Sequence, residues 1–144
     1  MIWYEYAART ALLLFLAAAA FMDMRTKTLP IIYVAGIFAS GTALRLTTGS
    51  LTLVQLLLGC AVGAVLLGIA FASRGALGYG DALMFIASGA WLGVLPNLYL
   101  LLLACTLSAL ASLVLLIFFK FRGKSEVPFM PFMFSGYICL LLII

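Results

Sequence analysis

The sequence contains no histidine and very little charge. Only eight basic and four acidic side chains occur among 144 residues. Without histidine, the commonest metal ligand and the usual neutral-pH general base are both missing. With 67% hydrophobic and 8% charged residues, there are too few polar side chains to cover a water-soluble globule of this size. The chain therefore reads as an integral membrane protein. Its formal charge of +4 is informative through its position along the chain and implies no nucleic-acid partner. Cysteine is scarce as well. Cys60, Cys105 and Cys139 lie far apart, each within an apolar run and with no CxxC spacing, so they read as small packing residues. No metal site and no cofactor is expected.

What is abundant is apolar sequence. Six runs fall between charges or breakers, at about 3–22, 30–46, 51–72, 82–95, 97–119 and 127–144. None shows the alternation of a membrane barrel strand, and "LLLLACTLSALASLVLLIFF" is apolar all round, as a buried or lipid-embedded helix is. The expected fold is an all-α integral membrane protein, a bundle of about six transmembrane helices forming one domain over residues 1–144. The fourth run is short for a bilayer. Before Arg9, Glu5 stands among Trp3, Tyr4 and Tyr6, which resembles an interfacial aromatic belt more than the basic start of a secretory signal.

Loop charge supplies a topology. The first loop holds Arg25 and Lys27, the third Arg74, and the fifth Lys120, Arg122 and Lys124, which together make six of the eight basic residues. Arg9 and Arg45 lie on the other side. The positive-inside rule then puts both termini outside and the odd-numbered loops in the cytoplasm. Small residues at i, i+4 spacing (Gly59 with Gly63, Gly89 with Gly93, Ser108 with Ser112) mark faces where helices can approach closely.

Of the four acids, Glu5 and Glu126 read as solvated surface charges. Asp23 directly follows "ALLLFLAAAAFM" and Asp81 directly precedes "ALMFIASGAWLG", so each stands where an apolar run meets a cytoplasmic loop. An ionisable group there is costly unless paired, hydrated or used. Asp81 could cap the fourth helix, and Asp23 could pair with Arg25 or Lys27. Together they permit more. Two carboxylates within reach of one another share a proton, so that one serves as base on a water while the other, protonated, polarises a carbonyl. Such chemistry needs no histidine, metal or nucleophilic side chain. Gly78 and Gly80, just before Asp81, would let a peptide backbone approach the acids closely.

Three segments in register resemble the type IV prepilin peptidases, membrane aspartic proteases of the GxGD class. They are "DMRTKTLP" (Asp23 to Pro30), "GYGD" (Gly78 to Asp81) with the following "ASGAWLG", and "PFMPF" (Pro128 to Phe132). The resemblance implies that Asp23 and Asp81 are the catalytic pair, with Gly78, Gly80, Pro30, Pro128 and Pro131 in substrate-binding or supporting positions. It implies as substrate a prepilin or pseudopilin precursor, whose basic leader is cut at the cytoplasmic face of a bacterial inner membrane. Larger members carry a CxxC-containing insert linked to N-methylation, for which this chain has no room, so peptidase activity without methyl transfer is expected. Leu83 stands where the family usually has lysine, Met130 where it commonly has glycine, and Ile31 where Asn or Asp is frequent. Two other readings remain open from the residues: a non-catalytic membrane assembly factor, and a small proton- or cation-coupled transporter. Against transport, both acids stand at one face and not near the midplane.

Overall fold

A computed structural model describes residues 2–119 and 127–144. Lys120, Arg122, Lys124 and Glu126 of the fifth loop lie outside the described residues. Six helices follow one another: α1 (Ile2–Thr26), α2 (Ile31–Thr48), α3 (Leu53–Ala72), α4 (Tyr79–Leu92), α5 (Val94–Phe119) and α6 (Met130–Ile143). Each expected apolar run has become a helix. Four of them, α1, α2, α3 and α5, are long and apolar enough to cross a membrane. The 14-residue α4 and α6 each extend only about 21 Å at 1.5 Å per residue, short of the ~30 Å hydrocarbon layer. Large apolar side chains such as Leu14, Phe71, Leu113 and Phe118 point outward, as they do when lipid is the solvent.

The short α4 forms the centre. Ala82, Met84, Phe85, Ala87, Ser88, Gly89, Ala90 and Trp91 are all buried, because α2, α3 and α5 pack around this helix and α1 touches it lightly. Glycines make its closest contact possible. A Cβ on Gly59 would stand 2.5 Å from the Gly89 carbonyl oxygen, and one on Gly63 would strike the backbone of Ile86. The Gly59–Gly63 spacing therefore marks a true crossing, with α3 and α4 backbones in contact. Ser108 is only half-buried and Ser112 is exposed, so the serine pair on α5 forms no such face.

Asn97 clasps this crossing. Its side-chain N–H₂ donates to the Gly59 carbonyl at 3.0 Å and the Phe85 carbonyl at 2.9 Å, while the Ser88 hydroxyl donates to its Oδ1 at 2.7 Å. The amide is fully buried and joins α3, α4 and α5, with its polar atoms satisfied where water is excluded. On the other flank Trp91 donates its indole N–H to the Ile37 carbonyl at 2.8 Å and meets Phe15 edge-on at 5.8 Å. Gly41 leaves the space that this indole fills. Opposite, α1 and α6 pack through Leu12, Leu16, Met133, Tyr137 and Leu140.

Element boundaries shift in ways that matter for the acids. α1 continues past residue 22 through Asp23 and Arg25, so Asp23 lies within its last two turns. α4 begins at Tyr79, three residues before the apolar run starts. Its N-cap is Gly78, with no side-chain cap hydrogen bond, so Asp81 does not cap this helix. It occupies the third helical position instead. Thr52 and Gln55 form a reciprocal capping box at 3.3 and 3.1 Å, which starts α3 at Leu53.

Candidate active site

Helix ends converge at one end of the bundle. The C-terminal end of α1 supplies Asp23, the N-terminal end of α4 supplies Gly78, Gly80 and Asp81, and the lead-in to α6 supplies Pro128 and Phe129. These residues line a single cleft of about 600 Å³ together with Lys27, Thr28, Leu29 and Tyr79. That volume suits several residues of an extended peptide.

Asp23 is fixed by an unexpected partner. The Met130 backbone N–H, at the first position of α6, donates to Asp23 Oδ2 at 3.2 Å. The carboxylate thus meets the positive end of a helix dipole contributed by a segment 107 residues away. Pro131, the next residue, has no N–H to satisfy and suits the first turn of a helix. The Asp23 side chain forms no ion pair with Arg25 or Lys27. Arg25 instead lies 5.0 Å over the Phe21 ring.

Asp81 differs from its partner. Burial removes water from its carboxyl, and the nearby negative charge of Asp23 adds to the effect, so its pKa is pushed up to about 7 from an ordinary 3.8. One cleft therefore holds two carboxyl groups, of which the α4 member is driven toward its protonated form. Gly78 lies under this side chain, where a Cβ would come within 2.5 Å of Asp81 Oδ2. Only glycine leaves the carboxyl where it is. At Gly80 the constraint is different, since an added Cβ would meet only Leu29, at 3.8 Å. Its missing side chain keeps cleft space open.

The remaining expected positions divide. Pro128 lines the cleft. Pro30 and Pro131 do not, and act one step back: the Pro30 carbonyl accepts from the Tyr33 N–H at 3.0 Å and starts α2, and Pro131 shapes the first turn of α6. Leu83 packs against the hydrophobic core and is not among the cleft-lining residues. Phe85 and Phe129 meet at 6.3 Å, holding the α6 lead-in against α4. Lys27 is held at φ 53°, a left-handed conformation unusual for a side-chain-bearing residue, as its N–H closes α1 by donating to the Asp23 carbonyl at 2.9 Å.

The sequence profile of the type IV leader peptidase family matches residues 10–115, well over half of the chain and including both aspartates. The chain belongs to the type IV leader peptidase family. No curated protein and no solved structure matches it at a significant level. The matched residues of this leader peptidase family member hold α1 from Thr10 onward, all of α2 to α4 and most of α5, so the shared region includes the α3–α4 crossing and both carboxyl positions. The α6 lead-in, with Pro128 and Pro131, lies beyond the match. Family membership and the long apolar helices together describe a multi-pass membrane protein of a protease family.

Proposed function

We propose that this protein is an aspartic endopeptidase that removes the basic leader from prepilin-like precursors, using Asp23 and Asp81 to activate water. The observation that carries this reading is one cleft lined by two carboxyl groups, of which Asp81 has its pKa pushed up to about 7 by burial and by the neighbouring Asp23. Asp23 accepts a proton from the attacking water. Asp81 donates a hydrogen bond to the scissile carbonyl oxygen and stabilises the tetrahedral intermediate. As the C–N bond breaks, the proton taken up by Asp23 passes to the leaving amine, which returns the pair to its starting state. The Met130 N–H supports Asp23 in the first step by holding one oxygen in place.

The basic odd-numbered loops support a cytoplasmic cleft, and membership of the leader peptidase family supports a bacterial inner membrane, where a precursor's leader is accessible before its apolar helix enters the bilayer. Cleavage of a pilin precursor by the purified protein, compared with Asp23→Ala and Asp81→Ala, tests the proposal. Loss of cleavage in both variants, with the helical fold retained, supports it. An unaltered protein that binds a cognate precursor without cutting it would make the chain an assembly factor instead.

A further inference from the structure

At the opposite end of the bundle, about 21 Å along α1 from Asp23, a second cavity of about 130 Å³ brings together Arg9 of α1 and Arg45 of α2. These two are the basic residues that the loop-charge pattern leaves on this side, and the fold makes them converge. Arg45 donates from Nε to the Trp91 carbonyl at 2.7 Å and from Nη1 to the Ser50 hydroxyl at 3.1 Å, which leaves three of its five N–H donors free and fixes the plane of its guanidinium. Arg9 has no side-chain hydrogen bond among the described residues. Tyr137 forms the inner wall, but its hydroxyl donates to the Arg9 carbonyl at 3.2 Å and is already engaged.

Both arginines are half-buried, and a guanidinium kept from water needs an anion. The acid among the lining residues is Glu5, which is exposed and does not approach a guanidinium within 4.0 Å. The remaining lining, Leu92, Pro96 and Leu141 among others, is apolar. A forked pair of guanidinium donors beside an apolar wall, at the end of a membrane bundle, matches an amphiphile whose phosphate lies beside its acyl chains. The cavity equals about four water volumes, enough for a phosphate group and too small for a peptide.

We propose that Arg9 and Arg45 bind the phosphate of an anionic phospholipid at the end of the bundle away from the carboxyl cleft. The test uses the full chain in a non-ionic detergent, titrated separately with phosphatidylglycerol, phosphatidylcholine and inorganic phosphate, with thermal unfolding and lipid retention in native mass spectrometry as readouts. Phosphatidylglycerol should raise the melting temperature and remain bound. Arg9→Gln, which breaks no side-chain hydrogen bond among the described residues, should weaken that effect about tenfold. Glu5→Gln, which removes a competing anion, should strengthen it. These opposite responses at two neighbouring positions are not what loss of helix stability would produce. Equal protection by phosphatidylcholine or by inorganic phosphate would overturn the proposal, as would an Arg9→Gln protein that binds phosphatidylglycerol like the unaltered one.

Discussion

The Met130 N–H and the Asp23 carboxylate, 107 residues apart in sequence, are joined by a 3.2 Å hydrogen bond that ties the last helix to the end of the first. It makes α6 part of the candidate active site even though no side chain of α6 takes part in the bond. Asp23→Asn would keep an acceptor for that N–H but lose the base. Cleavage should fall about a thousandfold or more, with little change in melting temperature, as measured by precursor cleavage alongside a thermal melt.

Asp81 gives a pH dependence with a definite sign. An acid whose pKa is raised by folding penalises the native state once the unfolded chain begins to ionise. The penalty is absent below about pH 3.8, grows up to about pH 7, and is constant above that. The melting temperature of the unaltered protein should therefore decline across this window relative to Asp81→Asn, which cannot ionise. Cleavage should decline as the pH rises through about 7, as the proton that Asp81 offers the carbonyl is lost.

The two glycines of the GYGD segment should respond differently to the same substitution. Gly78→Ala drives a methyl into the Asp81 carboxyl, so kcat should fall by about a hundredfold or more from misplacement of a reacting group. Gly80→Ala meets only Leu29 at van der Waals distance. Its effect should fall on KM, because the methyl occupies cleft volume without moving either acid. Steady-state kinetics on both variants separates the two.

Asn97→Leu removes an amide that serves two carbonyls and a hydroxyl in a dry interior. The loss should be about 2 kcal/mol or more, read from reversible unfolding in mixed detergent.

Much of the architecture can be read from the chain because lipid imposes it. Long apolar runs must become helices, and glycines four apart must face another backbone, as Gly59 and Gly63 do against α4. The shared position of Asp23 and Asp81 is legible for the same reason, since each stands where an apolar run ends. What could not be read depends on backbone groups, which carry no sequence signature. The Met130 N–H looks like any other amide until α6 is docked on α1. Asn97 opens the expected apolar run 97–119, yet α5 starts three residues earlier at Val94 with Pro96 accommodated in its first turn, and this carries the amide into the core. Leu83, which stands where the family usually has lysine, packs against the core one position away from the buried Ala82 and Met84.

The clasp formed by Asn97 joins α3, α4 and α5 into one wedge, and Asp81 stands on it. Asp23 stands on α1, which is bound to α6 and only brushes α4. Because α6 also packs closely against α5, the gap between the two carboxyl groups follows the lean of α1 only as far as the α1–α6 pair shifts against α5. A rod of 25 residues, about 37 Å long, must tilt in a layer of ~30 Å, and by an amount set by that layer's thickness. Lipid chain length becomes a tuning screw on the spacing of the two carboxyl groups. Cleavage in vesicles of graded acyl length should pass through an optimum, while a flat response would mean that α1 and the wedge move as one.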